Sequence, residues 1–288
     1  MTTTNTGNPT VALLGTGIMG AAMTRNIAAA GLPIRVWNRS RDKAQELSDV
    51  AQVADSVAEA VAGADIVITM VYDADSVAET IEQARGHLGP DAIWLQQSTI
   101  GVEACERMAD LAEDLGVTFV DAPVLGTRKP AEDGTLVVVA SGPPDARETV
   151  APVLDAIGSR TMWVGEAGSG SRLKLVANAW TATALEGIAE SLAFARDLGL
   201  DPALFLEAVA GGALDAPYVQ LKGKGMLAGE FPPAFTLAGA LKDVDLILAA
   251  ARDTGTDLGL MPAIREHLAR AVDAGHGDLD MSATYLEH

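Results

Sequence analysis

The sequence predicts an α/β doubly wound domain over residues 1–165, followed by an all-α domain over residues 166–288. Three observations predict this order. Short, nearly all-apolar runs rich in Val, Ile and Leu alternate with helical stretches through the first half, as in a parallel sheet covered on both faces. The first run leads directly into Gly15-Thr16-Gly17-Ile18-Met19-Gly20, a strand-to-helix turn. After Val164 no strand-like run remains, and apolar residues recur three and four apart along Ala- and Leu-rich segments.

Taken in order, residues 10–14 read as a buried strand, 18–30 as a helix stopped by Gly31, and 34–37 as a second strand. The run 65–70 (DIVITM) is a strand, 75–85 a helix and 92–96 a strand. A helix over 102–114 leads into strand 117–120, and 136–140 is a further strand. Gly-rich residues 165–170 give a flexible entry to a long helix over 171–198, about 40 Å at 1.5 Å per residue. Further helices cover 202–210, 237–254 and 262–274, with Pro217, Pro232 and Pro233 punctuating the stretch between.

Composition excludes several functions. With 20 Lys plus Arg against 39 Asp plus Glu the net charge is −19, which repels a phosphate backbone, so nucleic acid is not an expected partner. A single cysteine, Cys105, rules out an intrachain disulfide and a C-x-x-C pair and fits a reducing cytoplasm. The opening MTTTNTGNPT is polar and uncharged, unlike a secretory signal, and no apolar run reaches the roughly 18 residues of a membrane span, so a soluble chain is expected. His87, His267, His276 and His288 stand in polar or terminal contexts; neither a His triad nor a metal site is expected. Leu286-Glu287-His288 looks like an expression-tag junction.

The glycines of the 15–20 turn have the G-x-G-x-x-G spacing of a dinucleotide site in a Rossmann-type domain. Gly15 permits the tight turn, Gly17 lets backbone approach a pyrophosphate at the helix mouth with Ile18 and Met19, and Gly20 lets helix and strand pack. An NAD-preferring site places Asp or Glu about 20 residues on. Here the second strand ends in Asn38-Arg39-Ser40, with Asn38 standing 23 residues after Gly15. Arg39 can stack on adenine and pair with a 2′-phosphate while Asn38 and Ser40 donate hydrogen bonds, so NADP(H) is the expected cofactor. The alternative is a solvated arginine beside a helix-capping Ser40.

Lys174 and Asn178 are i and i+4 on the long helix, sharing a face continued by Thr181, among Leu173, Leu175, Val176 and Ala177. A lysine and an amide in apolar surroundings carry a desolvation cost, which suits a face lining a cleft; the alternative is a lysine whose stem snorkels to water.

Four motifs in order make the chain resemble the β-hydroxyacid dehydrogenase family. They are the GTGIMG turn, Asp121-Ala122-Pro123-Val124-Leu125-Gly126-Thr127, the run Gly168-Ser169-Gly170-Ser171-Arg172-Leu173-Lys174-Leu175-Val176-Ala177-Asn178, and Lys242-Asp243. The resemblance covers nearly the whole chain and is nearest the glyoxylate/succinic semialdehyde reductase branch. It implies a 6-phosphogluconate dehydrogenase-like nucleotide-binding domain and a helical domain for substrate and oligomerisation. It implies Lys174 as catalytic acid/base, Asn178 as its substrate-holding partner, Thr99 near the nicotinamide, and Lys242 on the cofactor. Val71 and Tyr72 stand where the family commonly has Leu-Pro against the cofactor. The family usually reads D-A-P-V-S-G, whose serine holds the substrate carboxylate; this chain has Leu125 there. Gly126 and Thr127 still offer backbone amides and a hydroxyl, or Leu125 marks a pocket for a less polar substrate.

The expected function is therefore NADP-dependent hydride transfer between a small aldehyde or keto acid and its hydroxy acid, in a homodimer or homotetramer. Trp180, Leu185 and Ile188 either exceed what one small helical domain covers, which suits an oligomer, or are ordinary core. Two other readings stay open: an imine reductase-like enzyme, which usually carries Asp or Tyr where Lys174 stands, and a non-catalytic NADP-binding scaffold.

Overall fold

A computed structural model describes residues 8–288; most of the polar N-terminal stretch, residues 1–7, lies outside the described residues. The chain divides into two compact units, one ending at Lys174 and the other running from Leu175 to His288.

In the first unit β1 (Val11–Leu14), α1 (Ile18–Ala29), β2 (Ile34–Trp37), α2 (Arg41–Gln45), β3 (Gln52–Val53) and α3 (Val57–Val61) are followed by β4 (Ile66–Thr69) and α4 (Ala74–Glu82). Then come β5 (Ile93–Gln96), α5 (Val102–Leu115) and β6 (Thr118–Asp121). These six strands form one parallel sheet in the order β3-β2-β1-β4-β5-β6, which reverses direction between β1 and β4. The reversal opens a crevice at the carboxyl ends of the strands, where α/β sheets bind ligands. Strand side chains alternate between two apolar layers. Leu13, Ile68 and Leu95 pack with α1 on one face, while Leu14, Val67 and Trp94 pack with α3, α4 and α5 on the other.

The strand expected at 136–140 does form, as β8 (Leu136–Ala140), but in a separate sheet. β8 pairs antiparallel with β7 (Val124–Leu125) and parallel with β9 (Gly158–Trp163); α6 (Arg128–Glu132) and α7 (Arg147–Ile157) lie between these strands in the chain. An antiparallel bridge between Asp121 and Ser141 ties this sheet to the end of β6.

α8 (Ser169–Asp197) begins in the first unit and continues as the first helix of the second, which adds α9 (Ala203–Val209), α10 (Pro217–Ala228), α11 (Leu237–Thr254) and α12 (Met261–Ala271). Pro217 starts α10 rather than breaking a helix, because its fixed φ suits the first helical turn. Leu185 and Ile188 are core residues, the second of the two readings their sequence left open; of that trio only Trp180 is exposed, at 72%. No helix among the described residues is long and apolar enough to cross a membrane.

Candidate active site

The carboxyl ends of β1, β2, β4 and β5 converge on the glycine turn. Gly15 N–H donates to the Trp37 carbonyl at 2.8 Å, and Thr16 N–H to Asn38 Oδ1 at 3.0 Å. Val71 N–H donates to Ser98 Oγ at 2.8 Å, which ties the end of β4 to the residue before Thr99. The three glycines stand in different surroundings. A Cβ on Gly15 would lie 2.3 Å from the Met70 carbonyl oxygen, and one on Gly20 would lie 1.9 Å from the Gly15 carbonyl oxygen. Both glycines are therefore demanded by the protein's own packing. A Cβ on Gly17 would meet nothing within 4 Å.

Gly17 thus keeps clear a space that the chain itself leaves open, at the mouth of a helix whose first turn has neither a side-chain cap nor an acidic residue. Beside it the Thr16 hydroxyl is buried without a hydrogen-bond partner among the described residues. An anionic group in this cradle would find unspent helix N–H groups, a positive dipole end and an orphaned hydroxyl, so the turn fits a dinucleotide pyrophosphate.

The end of β2 is arranged differently from the expectation of three donors. Asn38 is turned back onto the protein: its oxygen holds Thr16, and its amide donates to the Ser40 carbonyl at 3.0 Å. Arg39 and Ser40 are exposed, and the Ser40 side chain does not cap α2. Tyr72 is 53% exposed, and Thr99 is half-buried.

Lys174 is half-buried and donates from Nζ to the Val124 carbonyl at 2.8 Å. Its amine is thereby held at the strand that contains Leu125 and leads to Gly126 and Thr127. Gly126 sits at φ +128°, where an L side chain is strained and a Cβ would press within 2.8 Å of Leu136 Cδ2. Thr127 precedes α6 without capping it. Lys129 is paired with Asp133 on the surface.

Two acidic residues that sequence reading left without a role hold neighbouring side chains of these segments. Asp121 is fully buried and accepts from Ser171 N–H (2.7 Å), Ser171 Oγ–H (2.8 Å) and Ser141 Oγ–H (3.1 Å). Burial pushes its carboxyl above the ordinary range, against hydrogen bonds that favour the carboxylate. Burial likewise pushes up the Cys105 thiol, with Asp121 adding to the effect. In the second unit Asn178 Nδ2 donates to buried Asp243 at 2.7 Å, and Lys242 Nζ lies 2.8 Å from the other Asp243 oxygen. The signal for Asp243 was its place beside Lys242; nothing local marked Asp121 as a helix-holding group.

His267 and His288, which sequence reading left apart, both meet buried Glu186 at 2.6 Å, although His288 belongs to the three residues read as a tag junction.

Comparison with known proteins matches residues 10–165 to the NAD binding domain of 6-phosphogluconate dehydrogenase. Residues 168–286 match the NAD-binding domain of NADP-dependent 3-hydroxyisobutyrate dehydrogenase. Glyoxylate/succinic semialdehyde reductase 2, chloroplastic, of Arabidopsis thaliana is 32% identical over 281 residues, covering 96% of this chain and 78% of its own length. Glyoxylate/succinic semialdehyde reductase 1 of the same plant is 32% identical over 284 residues, 95% of this chain and 96% of its own. Among solved structures, a Mycobacterium tuberculosis 3-hydroxyisobutyrate dehydrogenase with L-serine is 29% identical, covers 98% of this chain and 99% of its own, and superposes with a TM-score of 0.87. The protein is a nicotinamide-dependent oxidoreductase acting on CH–OH groups, of the hydroxyacid dehydrogenase type. With one family domain following the other along nearly the whole chain, it belongs to the β-hydroxyacid dehydrogenase family.

Proposed function

We propose that the protein is an NADPH-dependent reductase of small aldehydes or keto acids, running reversibly to the hydroxy acid, with Lys174 as general acid/base. Bound NADPH supplies a hydride to the carbonyl carbon. As negative charge develops on the carbonyl oxygen, the Lys174 ammonium donates a proton to it, a general-acid contribution of about 10²- to 10⁴-fold. In the oxidative direction neutral Lys174 takes the alcohol proton. Asn178, one turn along the same helix face, orients the substrate, and its amide is itself oriented by Asp243. Leu125, Gly126 and Thr127 form the substrate-binding strand end. Gly15, Gly17, Ile18, Met19 and Gly20 hold the pyrophosphate, and Val71, Tyr72, Thr99 and Lys242 are the further cofactor contacts.

The observation that carries this reading is the Lys174 amine fixed on the Val124 carbonyl, immediately before Leu125–Thr127. The preference for NADPH is supported by exposed Arg39 and by the lack of a carboxylate at the end of β2. The reductase direction and substrate class follow the two Arabidopsis relatives. The working form proposed is a homodimer or homotetramer.

Replacing Lys174 with Ala tests the reading. Turnover of glyoxylate or succinic semialdehyde, followed by NADPH absorbance, should be lost while NADPH affinity stays within about 3-fold, because the amine acts on the reacting oxygen. A near-normal rate would remove Lys174 from the mechanism. Running 3-hydroxyisobutyrate and a cyclic imine beside these substrates separates the neighbouring activities, and a reaction with the imine alone would overturn the carbonyl reading.

A further inference from the structure

The proposed chemistry makes no use of buried Asp121. Asp121 is fully buried at the end of β6, and both carboxylate oxygens are committed to the start of α8 through Ser171. Ser141 completes the grip: its hydroxyl donates to Asp121 Oδ2 and accepts from Gly170 N–H at 2.9 Å. The approach is close enough to require glycine at 170, where a Cβ would lie 2.5 Å from the Val139 carbonyl oxygen and 3.1 Å from Asp121 Oδ2.

The same strand segment also receives the lysine. Ser171 and Lys174 are i and i+3, so they project from one side of the first turns of α8. Asp121 holds Ser171, and Val124, three residues further along the segment, accepts from Lys174 Nζ. One helical turn is thus fastened at both ends to residues 121–124. A helix cap alone would need a single acceptor for one N–H, and a neutral Ser or Asn supplies that without burying a charge. Here a carboxylate accepts both the backbone and the hydroxyl of one residue, which fixes the rotation of the helix about its axis as well as its end.

We infer that Asp121 is a positioning residue for catalysis: through Ser171 it sets the rotation of α8 that delivers Lys174 to the strand end carrying Leu125, Gly126 and Thr127. The inference rests on the reading of Lys174 as the general acid.

The test is a double-mutant cycle on the full-length protein with D121N, K174A and the pair. Asn keeps the side-chain shape but can no longer accept on both atoms. Because a misplacement of about 1 Å costs on the order of 10²-fold, D121N should lower kcat by about 10- to 100-fold. The NADPH dissociation constant, read by fluorescence, should stay within about 2-fold, since the glycine turn makes no use of Asp121. In the K174A background D121N should cost less than about 2-fold of the residual rate, since it acts through the missing amine. Should D121N fail to fold, S171A and S171T carry the test: loss of the hydroxyl should lower kcat, and Thr, which restores both donors, should recover most of it. A normal kcat in D121N, or an equal loss with and without Lys174, would overturn the inference while leaving the acid/base reading intact. A near-normal rate in K174A alone would instead overturn that reading and this inference with it.

Discussion

Arg39 is the side chain on which the proposed cofactor preference turns. A 2′-phosphate at the ribose brings about two negative charges to the end of β2, where an exposed guanidinium can form a bidentate pair and no carboxylate opposes it. Asn38 contributes indirectly, because both ends of its amide are already engaged with Thr16 and Ser40. R39E should therefore raise KM for NADPH by about 10- to 100-fold, equivalent to the roughly 1.5–3 kcal/mol of a hydrogen bond to a charged group. It should also lower KM for NADH, since Glu can accept from the ribose hydroxyls. Steady-state kinetics with both cofactors check this, and an unchanged NADPH:NADH ratio would refute the role of Arg39. At this scale the sequence was most informative about glycine. Spacing in its strand-to-helix context picked out Gly15, Gly17 and Gly20, and the packing of the turn demands the first and last of these. Asp121 was unreadable because its partner Ser171 lies 50 residues away.

Secondary elements were legible where one physical signal dominated. β1, β2, β4 and β5 are short apolar runs bounded by turn residues, and α5, α8 and α11 carry sustained helical periodicity. α7 was missed because Pro143 and Pro144 precede it and Pro152 lies inside it, and β9, reading GSRTMW, is too polar and exposed to resemble a buried strand. α10 was hidden by Pro217 and by Gly223 and Gly225, and its position is secured from outside the helix. Lys222, on α10, donates to Asp280 at 2.6 Å with both side chains buried, and Asp280 also accepts from the backbone of Ala234 and Ser282. Burial pushes the Asp280 carboxyl up, but the Lys222 ammonium and the Ser282 hydrogen bonds outweigh it and hold the group below its ordinary value. Breaking such a pair leaves an uncompensated buried charge, so D280N should destabilise the second unit by about 3–5 kcal/mol at pH 7. A folded-state value below the unfolded 3.8 makes this contribution fully present above 3.8 and lost only as pH falls on through the lower folded-state value. Thermal melts of wild type and D280N should therefore differ widely at pH 7 and draw together only as pH falls below the ordinary carboxylate range. A gap that stays constant with pH would show that Asp280 acts through packing rather than charge.

For the whole molecule, charge and apolar surface pull in opposite directions. A net charge of −19 makes copies of the chain repel, yet the second unit exposes Val176 (65%) and Trp180 (72%) one turn apart on α8, with Leu214 at 83% and Leu221 at 69%. Trp180 and Leu214 border a largely apolar groove of about 460 Å³ shared with Phe205 and Tyr218. Apolar surface of this kind marks an interaction site more often than a free monomer surface. If a second copy covers it, association is driven by apolar burial against a like-charge penalty, and the sign of the salt response follows. The Debye length shrinks from about 30 Å at 0.01 M to about 10 Å at 0.1 M salt, so added salt weakens the repulsion while leaving apolar contacts in place. Sedimentation at micromolar protein should show a multimer that becomes tighter between 0.01 and 0.3 M salt. W180E places a desolvated charge in the contact and should shift the protein towards single chains by about 10-fold or more in dissociation constant. Association that weakens with salt would point to an interface of opposite charges elsewhere on the surface, and wild type sedimenting as a single chain throughout would remove the multimer altogether.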